Sequence, residues 1–507
     1  MAEMKHYTLG EYVKLLEEKG MLAEYNLLGK DGEEIKLLTY DSREVTQGTL
    51  FICKGAAFKA EYLKNSMNQG AVCYVSEKKY ELEKEVPYIL VKGIRDAMAV
   101  LANFFYNKPW EDLAVIGFGG TKGKSTSTYY MKAVVDDYLA AQDKPESAVI
   151  STIDIYDGKS KVESHITTPE AVELQMHLRN ALDCNIEYAE MEISSQALKY
   201  GRVDEMQFDV SVFLNISEDH ISPIEHPDFE DYFQSKMKMF EKSKIAVVNL
   251  DADYIDQILE ASKAAGEVVT FSTKNPEADY YAYNIHKEGK DIHFSVKCEA
   301  FDEEFVLTMP GFFNVENALG VVAASVKLGI PTEYIHSGLR RARSSGRMEF
   351  YHSKDHEVMA IVDYAHNKLS FEKLFSAMKE EFPDYGLVAI FGCPGKKSLL
   401  RRKYLGTIAG QYSKMVYLVA EDPGYEPVED ISKEIAQYVE AQKCPYKMIE
   451  DRGEAIKDAI ETAEGKTLLL VTGKGAETRQ KYGCEYLDCP SDVEYVQRYL
   501  AEYDSRH

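Results

Sequence analysis

The chain has 507 residues, 45% of them apolar and 28% charged, a length that exceeds one hydrophobic core and fits about three domains. Its 59 basic and 84 acidic side chains leave a formal charge of −25, which excludes a general nucleic-acid or anionic-membrane binder, so an anionic ligand must meet locally placed positive charge. Eight cysteines without CxxC pairs point to neither a zinc site nor a disulfide framework. With no signal-peptide core and no run of the ~18 apolar residues a membrane span needs, a cytoplasmic protein is expected.

In chain order, residues 1–109 carry a short helical pattern and brief apolar runs at 50–53, 72–75 and 88–91, a small α/β unit. Asn107-Lys108-Pro109-Trp110 interrupts the pattern and reads as a linker. An apolar run at 113–118 then feeds Gly120-Thr121-Lys122-Gly123-Lys124-Ser125-Thr126, and a helical pattern opens near Ser125. A strand turning through glycines into a helix N-terminus aims several N–H groups and the positive end of the helix dipole at one point, which suits a triphosphate. Lys124 is placed to reach the outer phosphates and Ser125 to ligate Mg2+. The strict P-loop pattern asks for glycine at the position of Phe118, so this is a shortened variant.

Strand-length apolar runs continue at 188–193, 210–216, 245–250 and 268–271 between helical stretches, the mark of a mostly parallel sheet covered on both faces. The segment 280–307 alternates apolar and polar residues, which fits an antiparallel patch, and a helix is predicted over 314–328. Glu192 ends one strand, where ligands gather in α/β sheets, and is a candidate metal ligand. His220 follows the next strand and reads equally well as a surface loop histidine. Lys236, in a helical stretch of an acidic chain, reads on its own as a solvated charge. After Gly346-Arg347-Met348-Glu349 the alternation restarts with strands at 358–364, 387–391, 415–419 and 467–471. Domains are therefore expected at 1–109, 110–345 and 346–507.

Taken in order, Tyr40-Asp41-Ser42-Arg43, the segment from Gly120, Thr167-Thr168-Pro169-Glu170, residues 192–202, 215–220, 231–236 and 346–349, Asp363 to His366, and Gly473-Lys474-Gly475 resemble the Mur ligases. These are the ATP-dependent amino-acid-adding enzymes of peptidoglycan synthesis, and the likeness is greatest to the group that forms the UDP-muramyl tripeptide. The resemblance implies a three-domain α/β architecture with a central P-loop-type, mostly parallel sheet and a Rossmann-like C-terminal domain. It implies ATP binding by Gly120, Thr121, Lys122, Gly123, Lys124, Ser125 and Thr126, with Asn317, Arg347 and Asp363 closing over the nucleotide. It makes Glu192 and His220 magnesium ligands beside Ser125, and it turns Lys236 into a carbamylated lysine able to hold a second magnesium. Lys124, Lys236, His220 and Glu192 would carry the catalysis.

Ser42, Thr167, Thr168, Ser194 and Arg202 match positions that hold the UDP-sugar-peptide, although turn capping explains each serine or threonine taken alone. Glu421-Asp422-Pro423-Gly424 stands where the group reads its incoming amino acid. Glycine replaces the arginine that would fork onto the second carboxylate of meso-diaminopimelate, and the acidic pair suits an ε-ammonium, so L-lysine is expected before ornithine or diaminopimelate; a plain Asp-Pro-Gly turn fits the same residues. Lys396, Lys397, Arg401, Arg402 and Lys403 form a nearby basic cluster that could face phosphate or carboxylates or lie in solvent. The expected partners are a UDP-N-acetylmuramoyl dipeptide and a free amino acid, with no nucleic acid and no membrane, on a monomer. The alternatives are a folylpolyglutamate synthetase-like ligase and a nucleotide-gated binding protein without turnover.

Overall fold

A computed structural model describes residues 4–55, 58–164, 166–218, 221–222, 225–343, 346–396 and 399–506. Three sheets organise the chain. The first has five strands in the order Leu22–Asn26, Tyr88–Val91, Ala71–Ser76, Thr49–Ile52, Leu37–Thr39, parallel except for its first pair. The apolar runs at 50–53, 72–75 and 88–91 lie inside it, with helix Ile94–Phe105 packed against it.

The second sheet has eleven strands. Its centre is parallel, running Glu267–Ser272, Ser243–Asn249, Phe208–Phe213, Ala114–Gly119, Tyr188–Glu192, Ala148–Ile150. The alternating segment forms the antiparallel flank Tyr280–Glu288, Asp291–Lys297, Asp302–Leu307, as its pattern predicts. The opposite edge ends in the hairpin Asp154–Tyr156 and Lys161–Glu163. Helices Lys124–Ala140 and Phe313–Lys327 bury apolar faces against the central strands, which are mostly apolar because both faces are covered, with Glu190 and Glu192 buried in strand Tyr188–Glu192 as exceptions. The segment read as a linker runs into a short turn of 3-10 helix, Pro109–Asp112, with Pro109 buried, between helix Ile94–Phe105 and strand Ala114–Gly119.

The third sheet runs Glu349–His352, Val358–Asp363, Thr467–Thr472, Gly386–Phe391, Met415–Leu418, Tyr446–Met448. It is parallel after the first pair, and a two-stranded ribbon, Arg479–Tyr482 with Glu485–Asp488, stands beside it. Both larger sheets bring the C-terminal ends of their parallel strands to a common cleft, the usual place for ligands in such folds. Among the described residues no helix is long and apolar enough to cross a membrane.

Candidate active site

Strand Ala114–Gly119 delivers the glycine-rich turn and helix Lys124–Ala140 leaves it. Gly123 has φ +84°, and a β-carbon there would lie 2.2 Å from Asn317 Oδ1, so both the backbone and the crowding require glycine. Phe118, where the strict pattern wants glycine, is a fully buried strand residue, and the turn begins after it. Asn215 holds the loop from the neighbouring strand: its Oδ1 accepts from Lys122 N at 2.8 Å, its Nδ2 donates to Lys122 O at 3.1 Å, and its carbonyl accepts from Thr121 N at 3.0 Å. Lys124 Nζ curls back onto Gly120 O at 3.0 Å, inside the turn where phosphate oxygens would compete for it.

Glu192, 1% exposed, accepts from Thr152 N at 2.8 Å. With Lys124, Ser125, Thr126, Thr167 and Arg347 it lines a cavity of about 170 Å³ over the glycine turn. Ser125 Oγ accepts from Arg347 Nη2 at 3.1 Å, which ties the third sheet's first turn to the phosphate loop. Lys236 corrects the surface reading: it is 3% exposed and its Nζ donates to Gly120 O at 2.8 Å, with the Tyr232 ring 5.0 Å away. It shares that acceptor with Lys124, but the cavity holding Glu192 and Ser125 is lined by Lys124 and not by Lys236. The strand preceding His220 and the strand bearing Glu192 flank strand Ala114–Gly119 on opposite sides rather than lying side by side. His220 itself lies outside the described residues, and among those described no cluster of three acidic, histidine or cysteine side chains could hold a metal alone.

The candidates for the UDP-linked substrate are knit together within the chain. Ser194 caps helix Ser195–Lys199 through Ala197 N, as a turn-capping reading expects. Thr168 Oγ1 donates to Glu192 O at 2.8 Å and accepts from Ser194 N at 3.1 Å, so Thr168 joins the metal candidate's strand to that cap. Arg202 reaches Thr168 O at 3.1 Å and Glu170 at 2.9 Å, and Glu170 also meets Lys54 of the first unit at 2.7 Å. Thr167 Oγ1 accepts from Thr152 Oγ1 at 3.2 Å and faces the phosphate cavity, while Ser42 sits half-buried in the turn after strand Leu37–Thr39.

A second cavity, of about 110 Å³, is lined by Lys122, Gly123, Thr126, Asn317, Arg347 and Asp363, with Asn314 and Tyr364. Asn317 is buried and donates to Asn314 Oδ1 at 3.1 Å. The Asp363 carboxylate accepts from Met348 N at 2.9 Å and Ala365 N at 2.7 Å, so it also braces the turn that carries Arg347. Burial raises its pKa against the pull of Arg347, whose guanidinium lies over the Tyr364 ring at 4.4 Å.

A third cavity, of about 340 Å³, opens at Glu421, Asp422 and Gly424, with Arg401, Lys474, Glu477 and Lys481 around it. Gly473, φ +102°, has no room for a side chain, since a β-carbon there would sit 2.2 Å from Glu421 Oε2. Burial pushes the Glu421 carboxyl up to about 7 against the pull of Arg452. Asp422 is engaged differently: its Oδ1 accepts from Lys474 Nζ at 3.1 Å and Lys481 N at 2.9 Å. Burial disfavours the Lys474 ammonium, but Glu477 and Asp422 outweigh that and raise its pKa. The basic cluster divides. Arg401 faces this cavity, whereas Arg402 is 2% exposed and forks onto Glu426 at 2.8 and 2.7 Å, a structural role. Lys397 lies outside the described residues.

Several lining residues escaped the sequence reading. Thr152 lies in an unremarkable loop; Tyr364 lies within the segment Asp363 to His366 without a role of its own in the resemblance, and Glu477 lies two residues past Gly473-Lys474-Gly475 with no spacing signal of its own.

Residues 119–325 match the Mur ligase middle domain, and residues 346–475 match the Mur ligase, glutamate ligase domain. A UDP-N-acetylmuramoyl-L-alanyl-D-glutamate--L-lysine ligase of Enterococcus faecalis is 38% identical over 456 residues, 88% of each chain. A UDP-N-acetylmuramyl-tripeptide synthetase of Lactobacillus acidophilus is 31% identical over 519 residues, 98% of each chain. A solved UDP-N-acetylmuramoyl-L-alanyl-D-glutamate--2,6-diaminopimelate ligase shares the fold, with a TM-score of 0.66 at 22% identity over 99% of this chain and 100% of that one. With family matches spanning its second and third sheets and relatives of this identity along most of its length, the chain belongs to the Mur ligase family of ATP-dependent, amide-bond-forming ligases.

Proposed function

We propose that this protein joins L-lysine to the D-glutamyl carboxylate of UDP-N-acetylmuramoyl-L-alanyl-D-glutamate, with hydrolysis of ATP to ADP and phosphate, in peptidoglycan precursor synthesis. One observation carries the reading: Tyr364 and His366 line both the phosphate cavity and the Glu421 cavity, so a group activated in the first is within reach of an amine held in the second. The units 1–109, 110–345 and 346–507 divide the work, receiving the uridine end, the nucleotide and the amino acid.

The acceptor carboxylate attacks the γ-phosphate, ADP leaves, and an acyl phosphate remains. The α-amine then attacks the acyl carbon, the tetrahedral intermediate collapses, and phosphate departs as the amide forms. The glycine-turn N–H groups and Lys124 stabilise the phosphate charge, and Arg347, already hydrogen-bonded to Ser125, adds a second cation from the third unit. Asn317 and Asp363 face the nucleoside side of the cleft. Thr167, Thr168, Ser194 and Arg202 position the acceptor, with Ser42 toward the uridine.

Ser125 and Glu192 present hard oxygen donors to one cavity, which fits Mg2+, and His220 completes the set in this reading. Bound there, Mg2+ would neutralise the repulsion between carboxylate and triphosphate. Lys236 as an ammonium is not a ligand; its carbamate would be, and the N–H left on Nζ after carbamylation still serves Gly120 O.

L-Lysine is favoured because the third cavity has no arginine at Gly424 to fork onto a second carboxylate, and because Glu421 is left to meet an ε-ammonium while Asp422 holds Lys474. Phosphate release with the UDP dipeptide and a panel of L-lysine, ornithine and meso-diaminopimelate tests this. Turnover greatest with L-lysine is expected; release that ignores the UDP dipeptide would overturn the function, and preference for diaminopimelate would overturn the specificity.

A further inference from the structure

The edge hairpin of the second sheet, Asp154–Tyr156 and Lys161–Glu163, reaches across to the third unit. The Glu163 carboxylate accepts from Thr478 Oγ1 at 2.8 Å and Thr478 N at 3.4 Å, and Arg479 Nε lies 3.8 Å from it. Arg479 Nη2 donates to the next carbonyl, Ser164 O, at 3.3 Å. These groups are 315 positions apart in sequence and belong to different sheets.

Each side of this contact leads directly to one half of the site. On the second sheet, the hairpin grows from the loop in which Thr152 donates to Glu192 and Thr167, and it is followed by Thr167 and Thr168. On the third unit, Thr478 and Arg479 begin the ribbon strand Arg479–Tyr482. Its Gln480 Oε1 accepts from Asp422 N at 2.9 Å and its Lys481 N donates to Asp422 Oδ1 at 2.9 Å. The strand therefore meets Glu163 at its start and Asp422 at Gln480 and Lys481, one and two residues further on, and Glu163 is 31% exposed, in the seam rather than in a core.

We propose that Glu163 is a positioning residue: by gripping Thr478 and Arg479 it sets the ribbon, and through it Asp422 and the amino-acid cavity, in register with the Thr152–Glu192 wall of the phosphate cavity. This deepens the ligase reading and rests on it. The grip exists only while the third unit lies on the second, so it contributes to amino-acid capture in the closed arrangement and touches neither ATP nor the UDP substrate. As an exposed, charge-assisted contact it is worth a change of about five-fold, not several decades.

The test is L-lysine titration by phosphate release, at saturating ATP and UDP dipeptide, for the wild type, Glu163→Ala, Glu163→Gln, Arg479→Ala and the Glu163→Ala/Arg479→Ala pair. The expected result is a KM for L-lysine raised about five-fold in Glu163→Ala, less in Glu163→Gln, with the KM for ATP unchanged and the double variant no worse than the worse single one. An unchanged KM for L-lysine, an equal rise in the KM for ATP, or effects of the two residues that simply multiply would overturn the proposal. A parallel distance measurement between spin labels on the second and third units, with ADP bound, should show a broader distribution in Glu163→Ala than in the wild type; identical distributions would also overturn it. If the wild type turns over no amino acid at all, the ligase reading fails, and the spin-label distances still decide whether Glu163 holds the two units together.

Discussion

Replacing Gly123 with alanine tests how the glycine turn serves the nucleotide. The residue has φ +84°, and its β-carbon would fall 2.2 Å from Asn317 Oδ1, far inside contact distance. Holding an alanine in the left-handed region costs about 1–2 kcal/mol. Displacing Asn317 from Asn314 forfeits a hydrogen bond worth about 1 kcal/mol. If the loop relaxes to avoid both, the N–H groups that should meet phosphate turn away, and the strain appears as lost affinity of about 2–3 kcal/mol, or roughly 30- to 150-fold in Kd. Calorimetric titration of ADP and of a non-hydrolysable ATP analogue into wild type and Gly123→Ala measures this, with thermal unfolding of the free proteins as the control for global damage. An unfolding midpoint close to wild type with the expected loss of nucleotide affinity supports the account. A Kd within two-fold of wild type would show that the turn does not bind phosphate in this way.

Three further outcomes follow from the same geometry. Lys236→Ala should abolish turnover without restoration by bicarbonate; full activity in that variant would remove the carbamate from the account. Glu421 has its carboxyl pushed to about 7 from an ordinary 4.5, so the unfolded chain releases this proton first and the group's contribution to stability falls as pH rises from about 4.5 to 7. The ionised form is the one that attracts an ε-ammonium, so the KM for L-lysine should fall as pH rises through 7, and Glu421→Gln should lose that dependence; a variant that keeps it would exclude Glu421 as the contact. Arg402→Met removes a buried guanidinium held by Glu426 and the partly exposed Glu434 and should lower stability by about 1–2 kcal/mol in urea unfolding. An unchanged midpoint would return Arg402 to the substrate-facing role the basic cluster suggested.

The alternation of apolar runs and helical stretches was enough to anticipate the two larger sheets, because parallel strands covered on both faces are apolar along most of their length. The antiparallel flank was legible for the opposite reason: one face meets water and the pattern alternates. Single residues were harder. Lys236 looks like a solvated charge until the fold places Gly120 O above it, and no local pattern encodes a contact across 116 positions. Asp422 and Glu421 read as an equivalent acidic pair, yet Lys474, from another strand end, takes one and leaves the other buried. Arg401 and Arg402 are neighbours with opposite duties because a helix turns successive side chains about 100° apart. Tyr364, the wall shared by all three cavities, carries no sequence signal beyond its place after Asp363.

The central claim is that a carboxylate activated in the phosphate cavity is captured by an amine from the adjoining one. It is tested most directly by running the reaction with 18O in the D-glutamyl carboxylate of the UDP dipeptide and weighing the phosphate released. Transfer of one 18O into each phosphate, with formation of the lysyl amide in equal amount, is the predicted result. Phosphate free of label, or label transferred without any amide when L-lysine is present, would contradict it.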